Sequence, residues 1–148
     1  MRRALLAMVA LAAAACGGPP QDPVDRLIHD VSNAIEDRDA DAVGARVADD
    51  FEGQGGMTRA DVISTVRRYL ALYQEVGVQV FAVQRLDETH LKFRVDFTGK
   101  PKNVGGLAGL VPSAAVYEFE VELTGGGESL KARRGTWREW RPAASGAE

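Results

Sequence analysis

The sequence is poor in the residues that hold metals and make cross-links: among 148 residues there is one cysteine, Cys16, and there are two histidines, His29 and His90. A single cysteine excludes an intramolecular disulfide, and these few, scattered ligands give none of the clustered spacings of a zinc or iron-sulfur site. Positive charge is also scarce, with 18 Lys and Arg against 21 Asp and Glu and a net charge of -3. Beyond the amino end the only adjacent basic pairs are Arg67-Arg68 and Arg133-Arg134. Neither makes a stripe able to follow a phosphate backbone, so nucleic acid is disfavoured as a partner. The glycine clusters at Gly53, Gly105 and Gly125 lack the spacing and flanks of a phosphate loop or dinucleotide fingerprint, and no serine nucleophile elbow is present. No cofactor or metal is expected.

What is present begins with a basic start, Met1-Arg2-Arg3, and an apolar run from Ala4 to Ala15 that ends at Cys16-Gly17-Gly18. That layout is a secretory signal. Its apolar part is about half of the roughly 20 residues a helix needs to cross a bilayer, so it reads as a leader and not as a permanent span. Ala13-Ala14-Ala15-Cys16 resembles the lipobox of bacterial lipoproteins, with Ala13 standing where leucine is usual. The resemblance implies cleavage before Cys16, acylation of its thiol by palmitate-type chains, and the lipid bilayer as a partner. The alternative is an ordinary signal cut after Ala15 that leaves a free thiol. Each buried CH₂ contributes about 0.8 kcal/mol, and two or more long chains hold a protein stably where one is marginal. Gly17 in place of aspartate resembles the outer-membrane sorting outcome, so the expected location is the bacterial envelope, on the outer membrane facing the periplasm.

Cleavage after residue 15 removes Arg2 and Arg3 against an unchanged 21 acidic groups, which moves the formal charge from -3 to -5. The expected organisation is a signal at 1–15, a Gly/Pro tether at 16–21, one α+β domain at 22–141 and a small-residue tail at 142–148. Asp22-Pro23 caps a first helix whose inner face carries Val24, Leu27, Ile28, Val31 and Ile35. Asp39 caps a second helix running to about Ala48, with Val43 and Val47 inward and Phe51 as an anchor after it. Thr58 and Asp61 make a capping box for a third helix with Val62, Ile63, Val66, Leu70 and Tyr73 inward.

After Glu75 the period becomes twofold, with a parity change near Phe81 and Val83 that predicts a bulge. Leu91, Phe93, Val95 and Phe97 alternate with His90, Lys92, Arg94 and Asp96, and Ala115, Tyr117, Phe119, Val121 and Leu123 alternate with Glu118, Glu120 and Glu122. A last strand over about Ser129 to Arg141 carries Leu130, Ala132 and Trp137, with a register break expected at Gly135. The fold class is α+β: three N-terminal helices packed on one face of a curved antiparallel sheet.

The element order, the acidic link Glu36 to Asp41, the Asp49-Asp50-Phe51 step and the terminal strand with Trp137 and Trp140 resemble the nuclear transport factor 2 superfamily, including its SnoaL and ketosteroid isomerase relatives. The resemblance spans about Asp22 to Arg141. It implies a cone-shaped domain with a ligand cavity at its open end, catalysis lost in many members, and homodimers formed through the outer sheet face. Catalytic members keep a buried acid or base in the hollow. No equivalent is found here, since Asp96 has the outward parity.

His29, four residues after Asp25, reads as solvated helix surface, and His90 as exposed at a strand start. Glu118, Glu120 and Glu122 read as a cross-strand ladder with Lys92, Arg94, Lys131 or Arg133, and the alternative is an acidic cation site. The segment Gly99 to Ser113 carries Val104, Leu107, Leu110 and Val111 in a glycine-rich loop, either plugging the open end or exposing an apolar patch. Tyr69, Tyr73, Tyr117, Trp137 and Trp140 either fill a core or offer stacking surfaces. The candidate pocket or partner contacts are thus Tyr69, Tyr73, Val104, Leu107, Leu110, Trp137 and Trp140. The expectation is a noncatalytic envelope lipoprotein that binds a small amphiphilic ligand or an envelope protein. The alternatives are an isomerase or dehydratase using Asp50 or Asp61, and a dimerising module whose hollow is filled by its own side chains.

Overall fold

In the computed structural model, which describes residues 20–103 and 107–143, the chain opens with helix α1 at Pro23–Glu36. Asp22 caps it as its sequence predicts, its Oδ1 accepting from the N–H groups of Val24 and Asp25 at 2.9 and 3.2 Å. The buried Val24 and Leu27 of α1 pack on Leu91, Leu123 and Leu130, and Ile28, Val31, Phe93 and Val121 close around them. This is one end of the core.

Helix α2 covers only Ala40–Ala45, and Val47–Gly53 is a strand, β1. The expected helix to Ala48 is therefore corrected. Val47 and Phe51 are both buried and four apart, a spacing that returns to one face at a period of 3.6 and also at a period of 2. The amide of Ala132 donates to the Arg46 carbonyl at 3.0 Å, and β1 then runs parallel to the last strand. Helix α3 follows at Arg59–Leu70 behind the predicted capping box of Thr58 and Asp61. It stops before Tyr73, which begins β2 instead; Tyr73 is four residues after Tyr69, so both conformations turn it inward.

The strands are β2 at Tyr73–Arg85, β3 at His90–Pro101, β4 at Ala114–Thr124 and β5 at Lys131–Glu139. They form one open sheet in the order β1-β5-β4-β3-β2. All neighbours are antiparallel except β1 with β5, which corrects the expectation of a purely antiparallel sheet. The predicted bulge in β2 lies between Phe81 and Gln84, where Ala82 adopts φ 52°. The break in β5 falls between Ala132 and Arg134, not at Gly135. Gly135 stays paired with Val121 and leaves room for Phe51, whose Cζ stands 3.4 Å from where a Cβ would sit. No helix among the described residues is long and apolar enough to cross a membrane. Cys16 and the whole leader lie outside the described residues.

Candidate functional site

The register brings two rows of side chains together on the inner face of the sheet. Phe93, Phe119 and Trp137 stand opposite one another on β3, β4 and β5, and the next row is Val95, Tyr117 and Glu139. Phe93 and Phe119 stack with centroids 5.5 Å apart at 10°, and Trp137 and Tyr117 flank Phe119 at 6.3 and 6.5 Å. Farther along the same face the exposure falls: Leu91 is 3% exposed, Leu123 6% and Phe97 6%, with Val121 and Ala115 beside them partly buried. Phe93, Val95, Tyr117, Phe119 and Trp137 are only half-buried. Helix α1 packs on one end of this face and Tyr73 closes the other, and the aromatic rings between them, the candidate hollow, keep part of their surface exposed.

Its closed end is built from tyrosines. Tyr69 of α3, Tyr73 and Phe97 enclose one another with centroid separations of 5.2 to 5.4 Å. Tyr73 is 0% exposed and donates its only hydroxyl proton to the Pro112 carbonyl at 2.6 Å. The Tyr69 hydroxyl, 3.3 Å away, must therefore donate to the Tyr73 oxygen. Burial, then this bond to Tyr73, push the Tyr69 hydroxyl up to about 12. Burial also raises Tyr117, with Tyr69 and Glu139 adding to it. Both phenols stay protonated at neutral pH, so they act as donors and not as bases.

The loop after β3 is held at its ends over Tyr73: the Gly99 amide donates to Ser113 O at 2.9 Å and Pro112 accepts from Tyr73. Its middle turns outward at a 3₁₀ turn, Leu107–Leu110, with Leu110 79% exposed. Val104 and the side chain of Leu107 lie outside what the structure describes. Of the candidate contacts, then, Tyr69, Tyr73 and Trp137 belong to the hollow or its end wall, and Leu110 points away from it. Trp140 does not join Trp137. It lies past β5 over the guanidinium of Arg94, 4.2 Å from Cζ to the ring centroid, on the convex face. The sheet there separates positions three apart, since an odd spacing reverses the face.

The convex face carries the charge ladder in a modified form. Lys92 meets Glu118 and Glu120, Arg134 meets Glu122, while Arg133 turns to Asp50 on β1. Glu118 has the outward parity its sequence predicts but is only 6% exposed, roofed by Arg138 at 2.6 Å and Arg94 at 3.3 Å. Arg138, opposed by desolvation and helped by Arg94 and Lys92, holds its carboxyl below the ordinary value of 4.5. Asp61 is engaged in the α3 cap and Asp50 by Arg133 at 3.3 Å, so neither carboxylate weighed for catalysis faces the hollow. His29 is exposed and bonded to Asn33 at 3.0 Å in an open groove of about 500 Å³ between α1 and the edge strand β2. His90 joins Asp87 at 2.9 Å in the turn before β3. Among the described residues no three His, Cys, Asp or Glu side chains are grouped to hold a metal. Tyr117 takes the place its alternation and aromatic character predict, whereas Glu139 has no place in the sequence-based expectation; it shares the parity of Trp137, the signal that would have found it.

No family model matches the sequence, and no curated protein matches it either. Solved structures do resemble it in shape. A Novosphingobium aromaticivorans protein provisionally named a scytalone dehydratase superposes with a TM-score of 0.64 at 14% identity, over 80% of this chain and 83% of that one. A nuclear transport factor 2-like protein of Pseudomonas aeruginosa gives 0.62 at 18% identity, over 80% and 99%. A ketosteroid isomerase-like protein from Catenulispora acidiphila, in complex with trimethylamine, gives 0.58 at 17% identity, over 80% and 87%. At such identities the likeness is one of architecture, and this chain has the nuclear transport factor 2-like fold that ketosteroid isomerase-like proteins also carry.

Proposed function

We propose that this chain is a noncatalytic envelope lipoprotein, anchored through acylated Cys16, whose aromatic hollow binds a small amphiphilic molecule. The observation that carries the binding half is that Phe93, Phe119 and Trp137, with Val95 and Tyr117 beside them, stay half-buried while Leu91, Leu123 and Phe97 farther along the same face are buried. Apolar rings left open to water in a concave face are the usual lining of a ligand site, whereas a module filled by its own side chains would have buried them. One neighbour of the same fold holds trimethylamine, which supports a small occupant. The noncatalytic half rests on Tyr69 and Tyr117 being kept protonated, and on Asp50 and Asp61 being engaged elsewhere. The anchoring half rests on the lipobox-like Ala13-Ala14-Ala15-Cys16.

Expression of the whole chain in a Gram-negative host tests both halves. The intact mass of the membrane-extracted protein should be that of a chain starting at Cys16 plus its acyl chains, and Cys16→Ser should release the protein from the membrane. Organic extraction of the wild type should yield a bound molecule that is missing from Trp137→Ala. A free thiol on a water-soluble chain would end the anchoring reading, and an unchanged extract from Trp137→Ala would end the binding one.

A further inference from the structure

Strand β2 ends the sheet, so one of its edges has no neighbouring strand. The amide of Gly99 turns toward β4, donating to the Ser113 carbonyl, and Gly99, Phe97 and Val95 stand opposite Val76, Val78 and Val80 of β2. Opposed residues of an antiparallel pair either exchange their backbone bonds or both turn them away. Val76, Val78 and Val80 therefore present their backbone groups to the open edge, one donor and one acceptor each. One donor is already answered: the Val78 amide donates to Glu36 Oε1 at 3.1 Å, a carboxylate standing where the carbonyl of a further strand would be. The bulge between Phe81 and Gln84 ends this stretch of edge.

The groove of about 500 Å³ beside α1 runs along the same edge, lined by apolar Ile28, Val78, Val80 and Val83 and by the carboxylates of Asp25 and Glu36. Both carboxylates are exposed and neither joins an ion pair among the described residues. Arg38 spends its Nη1 on the Tyr73 carbonyl at 3.0 Å, and Arg85 is tied to Asp22 at 2.6 Å. Asp37 and Asp39 add negative charge past Glu36. We infer that the β2 edge is a docking site for an extended basic peptide segment, which adds as a further strand with its lysine or arginine side chains toward α1. The stems of such side chains cover Ile28 and Val80 while their charged ends reach Asp25 and Glu36. A second copy of this chain is a poor occupant, because pairing β2 with β2 brings two acidic α1 flanks together.

The test uses the mature chain with Cys16→Ser and a dye-labelled peptide of about eight residues, an ordinary strand length, alternating lysine with threonine. Fluorescence anisotropy should show saturable binding that weakens as salt is raised and that is roughly tenfold or more tighter than for the matching glutamate and threonine peptide. Amide resonances of Val76, Val78 and Val80 should shift and gain exchange protection. Two further peptides, N-methylated either at every lysine or at every threonine, should differ, because only one set of amides faces β2. Asp25→Asn with Glu36→Gln keeps an acceptor for the Val78 amide, and should weaken the lysine peptide roughly threefold or more. No saturable binding, equal binding of the glutamate peptide or of the two methylated forms, or protection that leaves Val76 to Val80 unchanged overturns the inference. Protection of those amides that rises with protein concentration alone would give the edge to a second copy, and overturns it too.

Discussion

Tyr73→Phe isolates the contact that closes one end of the hollow. The substitution keeps the ring, its packing on Tyr69 and Phe97 at 5.3 and 5.2 Å, and its full burial, and removes only the oxygen. What is lost is a 2.6 Å hydrogen bond to the Pro112 carbonyl, which is then left without that donor. Removing one partner costs about 1 to 3 kcal/mol where the remaining group is buried, and Pro112 is exposed, so water reaches its carbonyl and limits that cost. Tyr69 loses an acceptor too, but it is half-buried and water can replace it, so the lower part of that range, about 1 to 2 kcal/mol, is expected. For a domain of this size that is a fall in Tm of roughly 3 to 10 °C. Urea unfolding should show a lower midpoint at unchanged slope, and hydrogen exchange should quicken at the Gly99 amide, whose bond to Ser113 lies beside the lost anchor. A midpoint within error of wild type, with Gly99 protected as before, would refute the idea that Tyr73 fastens the loop.

Other positions give sharper or broader tests. Gly99→Ala drives a methyl into the buried Tyr73 ring, and overpacking against a rigid neighbour should cost about 1 to 3 kcal/mol in the same unfolding assay. Stability should decline in acid. Asp87 is held at about 2 by the Thr89 amide and His90, while Asp22, Asp61 and Glu118 lie below their ordinary values of 3.8, 3.8 and 4.5. Depressed carboxylates stabilise the fold above their unfolded values and lose that effect as pH falls through the folded ones, so denaturant midpoints should be flat above about pH 5 and drop from about 4.5 to about 2. Asp87→Asn should shrink the lower part of that drop. In alkali the sign reverses: Tyr69, raised to about 12, stabilises the fold below about pH 10 and loses this between 10 and 12, which a spectrophotometric titration should show as a late-ionising phenol absent from Tyr69→Phe.

Helix α1 and strand β3 were legible because each has a pattern that only one period satisfies: Asp22-Pro23 ahead of Val24, Leu27, Ile28, Val31 and Ile35, and Leu91 to Phe97 at strict alternation. Strand β1 and the start of β2 were not, because Val47 with Phe51 and Tyr69 with Tyr73 stand four apart, where helix and strand both return to the same face. Parity told which side Glu118 occupies but not what covers it. Its burial comes from Arg94 and Arg138 on the two neighbouring strands, a matter of register. The same limit applied to the site. Alternation named Phe93, Phe119 and Trp137 as inward, yet whether helices cover them or leave them open depends on where α1 and α3 come to rest on the sheet.

The central claim is that the concave aromatic face receives a ligand. Side-chain NMR of the mature chain, titrated with a short-chain amphiphile such as hexyl glucoside, tests it most directly. Shift changes that saturate together and centre on the ring protons of Phe93, Tyr117, Phe119 and Trp137 are the predicted result. Changes confined to Leu110 or to Trp140 and Arg94 on the convex face, with the inner rings unmoved, would contradict it.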